Sequence, residues 1–234
     1  MNTHRKTAIV AGLLFILATV VSVTAMIAML DPVLNSPDRL DQIVEQREWF
    51  VTGILLEMIN NGAVIALGVV LFPILRSYSL VLAIAYVALR LAEALFIAIG
   101  DLALLSLVSL ADSHGAAASA NAEIVALTAD MLVSVVDWTL ILGPGLFLAA
   151  NAAILNYILW RTSLIPAVLT LWGMIGAALL LVGDIAVMYG FADNVLYFAA
   201  LFAVQEMALA LWLIAKGFNP GAVRQLGLPQ ANAA

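Results

Sequence analysis

The chain has 234 residues, of which 65% are hydrophobic and 10% are charged, and its formal net charge is −6. A soluble domain carries about 25% charged residues, so this composition excludes an ordinary soluble protein and indicates an integral membrane protein. Nine basic residues give no surface for a nucleic-acid partner, and the absence of cysteine excludes disulfides, thiol chemistry and iron–sulfur ligation.

Long apolar segments follow one another along the whole chain. Each is long enough to cross a hydrocarbon core of ~30 Å, which needs ~20 helical residues. Only helices satisfy their own backbone hydrogen bonds in such segments. The first segment follows basic residues, as a signal peptide does, but its apolar part is too long, so we expect an uncleaved helix. The sequence therefore predicts an all-α, single-domain bundle over 1–234, with transmembrane helices at about 7–30, 50–75, 80–107, 131–159, 164–189 and 195–215.

Basic residues in the loops predict the orientation of the bundle. Arg39 and Arg47 lie among several acids on one side of the membrane, whereas the other six basic residues of the loops and chain ends lie on the opposite side. The positive-inside rule places the more basic side in the cytoplasm, so both termini are expected there. The residues on that side are Arg5, Lys6, Arg76, Arg161, Lys216 and Arg224.

Both longer outer connections have helical signals. Ser36-Pro37-Asp38 provides an N-cap, a proline at the first helical position and an acid in the first turn. A short amphipathic helix is predicted over 36–48, as an interfacial anchor or as a lid over an outward pocket. The Ala-rich stretch 116–127 is predicted to form a second outer helix.

Two helices contain residues that alter packing. Gly143-Pro144-Gly145 lies near the middle of the fourth segment and predicts a packing kink, or else a hinge of the kind found in transporters. In the fifth segment, small residues give a face for close helix packing. That face suits either the bundle itself or a homodimer, and it consists of Gly173, Gly176, Ala177 and Gly183.

The most informative residues are polar ones inside the apolar segments. Arg90 and Glu93 are three residues apart and share a helix face, with Asp101 about two turns further on. A charge at the bilayer centre costs at least ~2.5–3.5 kcal/mol, so such groups usually face the bundle interior. A rise of ~1.5 Å per residue places one set of acids in the outer half of the membrane: Glu57, Asp101, Asp137 and Asp184. A second set lies near the middle: Asn60, Asn61, Arg90, Glu93, Gln205 and Glu206.

This distribution predicts a polar cavity that opens to the outside and is closed below by Arg90 and Glu93. Six buried carboxylates face one guanidinium. Arg90 can pair with Glu93, or with Glu206 across the bundle, and the other acids must be protonated, hydrated or matched by a cation. The alternative is that the acids only tie helices together through hydrogen bonds. For Arg90 and Glu93 themselves, we favour a structural salt bridge.

No cofactor and no metal site is predicted. The only histidines, His4 and His114, lie outside the apolar runs, which excludes intramembrane haem or zinc held by histidines. Lys216 lies at the end of the sixth segment and fits a snorkelling anchor, which argues against a retinal Schiff base.

Several motifs carry a resemblance to a known family. They are Leu56-Glu57-Met58-Ile59-Asn60, Tyr86-Val87-Ala88-Leu89-Arg90-Leu91-Ala92-Glu93-Ala94, Leu142-Gly143-Pro144-Gly145, and Glu206 with Trp212-Leu213-Ile214-Ala215-Lys216-Gly217-Phe218. Over nearly its whole length the chain resembles the bacterial family catalogued as domain of unknown function 4386. The resemblance implies a multi-pass protein of the bacterial cytoplasmic (inner) membrane and brings no established activity. The residues that match its motifs are Glu57, Arg90, Glu93, Gly143, Pro144, Gly145 and Glu206.

Three functional hypotheses remain open at this point. The first is a membrane protein that binds, and transports, a cation, proton or small polar molecule through an outward-facing acidic cavity. The second is an intramembrane enzyme acting on a lipid or isoprenoid with paired acids, although the sequence has no Asp-rich motif, His cluster or Ser–His pair. The third is a non-catalytic sensor or accessory subunit that works with a partner protein. We favour binding over catalysis and assign no catalytic residue.

Overall fold

The computed structural model describes residues 3–114, 122–193 and 196–227. This part of the chain is helical and contains six helices that are long and apolar enough to cross a membrane, so the predicted fold class is confirmed. We call these helices the first to the sixth span. Their bounds are Thr3–Leu34, Arg47–Leu75, Leu80–His114, Ala122–Arg161, Ala167–Met188 and Leu196–Ala215.

The third and fourth spans extend further than the apolar pattern suggests. The third span continues to His114 rather than ending near residue 107, and the fourth begins at Ala122 rather than near residue 131. Polar residues in these extensions bond to their own helix: Ser113 Oγ donates to the Leu110 carbonyl at 2.8 Å. Such bonds let hydroxyl residues continue a helix beyond its apolar part. Residues 116–121 of the predicted outer helix lie outside the described residues.

The six spans are arranged in a ring. Each span packs against the next one along the chain, and the first packs against the sixth. Arg5 ties the ring together, because its guanidinium donates to the carbonyls of Leu213 at 2.9 Å and Ile214 at 2.6 Å. Cationic side chains stabilise the free carbonyls at a helix C-terminus. The start of the first span and the end of the sixth therefore lie at one end of the bundle, which we call the terminal end, and the opposite end is the distal end.

A short helix closes the distal end. It covers Arg39–Glu45, within the predicted 36–48, and buries Leu40 and Ile43. Two ion pairs hold this part of the chain against the third and fourth spans. Arg39, at the start of the short helix, pairs with Asp130, and Arg47, at the start of the second span, pairs with Asp112. The two arginines of the distal end are thus engaged by acids of the same chain.

Two spans contain a π-helical segment. One is Thr24–Leu30 in the first span, and the other is Ile141–Phe147 in the fourth span. The second contains Pro144, which has no N–H to donate to the preceding turn, and a wider π turn accommodates that loss. Gly143 brings the third span close, because a Cβ at this position would lie 2.9 Å from Phe96 Cβ. Whether this segment acts as a hinge stays a prediction.

The small-residue face of the fifth span lies inside the bundle. A Cβ on Gly176 would meet Phe202 at 3.3 Å, and one on Gly183 would meet Phe198 at 2.6 Å, both on the sixth span. Gly173 packs against Asn156 of the fourth span, and Ala177 is 2% exposed. Helices of the same chain therefore fill this face, so it does not offer a surface to a second copy.

Candidate functional site

Arg90 and Glu93 form a buried ion pair in the middle of the third span, with 2% and 3% of their surface exposed. Arg90 Nη1 donates to Glu93 Oε2 at 3.1 Å, and Arg90 Nε donates to Tyr86 Oη at 3.2 Å. Asn151 of the fourth span donates its Nδ2 to Glu93 Oε2 at 2.6 Å. The guanidinium carbon also lies 5.7 Å from the centre of the Phe15 ring, within cation–π range. Of the two predicted partners, Glu93 rather than Glu206 therefore forms the salt bridge.

A cavity of about 270 Å³ lies beside this pair, and we call it the central cavity. All six spans contribute to its walls, which are mostly apolar and include the rings of Phe15 and Phe202. On the first and sixth spans most of its lining residues other than the buried Phe15 and Phe202 are partly exposed, and Val23 is 50% exposed. The cavity thus opens sideways between the first and sixth spans. Its polar and charged lining residues are Thr19, Ser22, Asn60, Arg90, Glu93 and Glu206.

Glu206 is the charged group of the cavity without an ion-pair partner among the residues that the structure describes. Thr19 Oγ1 donates to its Oε2 at 3.3 Å. Arg90 lines the same cavity but already forms its ion pair with Glu93. In their ordinary ionised forms, these three groups leave the cavity with one negative charge in excess.

A second group of acids lies further toward the distal end. Glu57 and Asp101 are 4% and 5% exposed and both line a small cavity of about 20 Å³, which we call the acid pocket. Asn60 Nδ2 donates to Glu57 Oε2 at 3.1 Å. Glu57 Oε1 is buried and has no hydrogen-bond partner within the described ranges. Because Asn60 also lines the central cavity, one amide side chain lies between the two cavities.

The structure separates the remaining predicted residues from these cavities. Asp184 is fully buried against Gly145, and neither carboxylate oxygen has a described partner. Gln205 donates to Asn156 Oδ1 at 3.4 Å in a separate polar cluster. Asp137 is exposed on the outside of the bundle, next to the buried Val136. The predicted residues thus do not share one acidic cavity.

The physical reason for this separation is helix rotation. Neighbouring residues on a helix point about 100° apart, since a turn takes 3.6 residues. Gln205 and Glu206 therefore face different clusters, and Asp137 points outward where Val136 points inward. Asn61 is half-buried, one residue from the cavity-lining Asn60, and its Oδ1 is buried without a described partner.

Sequence reasoning missed several residues of the site. Tyr86 lies one turn before Arg90, at a spacing that predicts contact on one helix face. Asn151 is a polar residue within an apolar stretch, which is itself a signal. Thr19 gave no signal, because a threonine in a membrane helix usually bonds to its own backbone.

The described residues hold no group of three or more His, Cys, Asp or Glu side chains arranged for a metal ion. The fold and the enclosed polar cluster define a multi-pass, all-helical membrane protein with charged groups inside its bundle. The chain belongs to the family described as Domain of unknown function (DUF4386), whose model matches residues 10–217. This match confirms the resemblance seen in the motifs. A search of the curated proteins found no match, and a search of the solved structures found none either.

Proposed function

We propose that this protein binds a small amphipathic cation in the central cavity and carries it across the membrane. The observation that supports this proposal is the position of Glu206, beside an Arg90–Glu93 pair whose charges already balance. A charge inside the membrane needs a partner, and a positively charged ligand provides one for Glu206.

The walls of the cavity favour an amphipathic ligand over a hydrated ion. Most lining residues are apolar, and Phe15 and Phe202 offer aromatic surface, which favours alkyl or aryl groups around a cationic centre. A volume of about 270 Å³ is near the lower end for small-molecule pockets, so the ligand is small. The opening between the first and sixth spans lets such a ligand enter from the lipid.

Transport is the use of this site that the two π-helical segments favour. Transporters bind their substrates near the middle of the membrane, next to discontinuous helices. Here Pro144 of the π-helical segment and Val23, just before the other one, both line the central cavity. We place the protein in the bacterial cytoplasmic membrane with both termini inside, on the distribution of its loop arginines and lysines.

The test is equilibrium binding of radiolabelled benzyltrimethylammonium, a small cation with an aromatic ring, to the full chain in lipid nanodiscs. We expect saturable binding to the wild type and an affinity at least tenfold lower for Glu206→Gln, which removes about 1.4 kcal/mol of binding free energy. The matched control is Glu123→Gln, because Glu123 is exposed at the distal end and the chemical change is the same.

Two results would contradict the proposal. One is equal affinity in Glu206→Gln and in the control. The other is equally tight binding of neopentylbenzene, which has carbon in place of the nitrogen and therefore a similar shape and no charge, since that would make the cavity a site for apolar molecules. Uptake of the labelled cation into proteoliposomes then tests transport separately from binding.

A further inference from the structure

Two carboxyl groups line the acid pocket, and no basic side chain is among its lining residues. Glu57 comes from the second span and Asp101 from the third, and each is at least nine-tenths buried. Glu57 Oε1 has no hydrogen-bond partner in the described part of the chain. The other lining residues are neutral: Met26, Ile97, Gly100, Leu104, Val136, Thr139, Leu140 and Pro144. If both acids are ionised in such surroundings, they need a positive charge beside them.

The two π-helical segments meet at this pocket. Met26 belongs to the one in the first span, and Pro144 belongs to the one in the fourth span. Because Pro144 has no N–H, one carbonyl of the turn before it, that of Thr139 or that of Leu140, lacks its backbone hydrogen-bond donor. Both of these residues line the pocket. Backbone carbonyls that are freed where a membrane helix is interrupted coordinate Na⁺ in transporters, and here such a carbonyl lies beside two carboxyl groups.

The size of the pocket limits what it can hold. A volume of about 20 Å³ is close to the space that one water-sized particle needs. The pocket has no room for the waters that Mg²⁺ usually keeps. Two carboxylates and one backbone carbonyl offer at most five oxygens, fewer than the six to eight that Ca²⁺ takes. Because Na⁺ and Ca²⁺ are nearly the same size, it is the small number of oxygens, together with the lack of room for bound water, that favours a dehydrated monovalent ion.

We propose that the acid pocket is a binding site for a single dehydrated Na⁺ ion, held by Glu57, Asp101 and a carbonyl of the turn before Pro144. The ion halves the charge of the acid pair. The site is separate from the central cavity and does not depend on the function proposed for that cavity. Asn60 contacts Glu57 and lines the central cavity, so it provides a direct physical connection between the two sites.

The test is binding of ²²Na⁺ to the purified full chain by scintillation proximity, at constant ionic strength. We expect saturable binding that unlabelled Na⁺ displaces at least tenfold more effectively than K⁺ or choline does. Glu57→Gln and Asp101→Asn should each reduce the affinity at least tenfold, whereas Glu123→Gln should bind like the wild type.

The absence of saturable ²²Na⁺ binding to the wild type would overturn the proposal. Displacement by choline as effective as that by Na⁺ would do the same, because it would show only a general charge effect. Unchanged affinity in Glu57→Gln or Asp101→Asn would place the ion elsewhere. If one of these variants fails to fold, the other variant and the wild-type competition still give the answer. Normal Na⁺ binding together with failed benzyltrimethylammonium binding would support this site and contradict only the function proposed for the central cavity.

Discussion

Replacing Arg90 with methionine is expected to lower the free energy of unfolding by about 3–5 kcal/mol, the usual cost of leaving a buried charge without its partner. Arg90 is 2% exposed and donates to Glu93 at 3.1 Å and to Tyr86 at 3.2 Å. The variant keeps most of the side chain's length but leaves Glu93 with Asn151 as its one described hydrogen-bond partner. Steric-trap unfolding in bicelles measures the change directly.

A second substitution distinguishes the lost ion pair from lost packing. In Arg90→Met with Glu93→Met, no buried charge remains at the pair, and such apolar replacements are often close to neutral. We therefore expect the double variant to recover most of the stability. Arg47→Met is the control, since Arg47 pairs with Asp112 at the surface and exposed pairs contribute about 0–1 kcal/mol. Equal losses in Arg90→Met and the control would contradict the central role of the buried pair.

Replacing Gly173 with alanine is expected to lower the free energy of unfolding by about 1–3 kcal/mol, the typical cost of overpacking. A Cβ at this position would lie 2.6 Å from Asn156 Nδ2 and closer still to its oxygen. Asn156 cannot retreat freely, because it donates to the Ala152 carbonyl at 2.9 Å and accepts from Gln205. The new methyl group therefore disturbs a buried polar cluster as well as the helix contact.

Gly62→Ala is the matched control for this prediction. Gly62 also lies inside a membrane span, but a Cβ there meets nothing within 4 Å. Alanine stabilises a helix by about 0.8–1.0 kcal/mol relative to glycine. The control variant should therefore be as stable as the wild type, or slightly more stable, in the same unfolding measurement. An unchanged stability in Gly173→Ala would show that the fourth and fifth spans separate more easily than this contact implies.

The sequence predicts the six spans because their length and apolar composition are local properties. The Arg90–Glu93 contact is predictable for a similar reason, since three residues along a helix bring two side chains onto one face. The extensions of the third and fourth spans were not predictable from hydropathy. Serines and threonines there bond to their own helix, as Thr128 Oγ1 does to the Ile124 carbonyl at 2.7 Å.

The grouping of the polar residues depends on how each helix is rotated within the bundle, which the sequence does not specify. The depth in the membrane estimated from the sequence placed Asp137 and Asp184 at the same level as Glu57. In the structure, Asp137 points away from the bundle and Asp184 packs against Gly145. Rotation also decides that Glu206, rather than Gln205, lines the central cavity.

The most direct test of the proposed cation site is a crystal structure of the protein with a bromine-labelled lipophilic ammonium compound, located by its anomalous signal. The proposal predicts one bromine site between the first and sixth spans, with the ammonium group against Glu206 and its apolar groups near Phe15 and Phe202. A bromine site on the outer surface of the bundle, with the central cavity left to lipid or water, would contradict it.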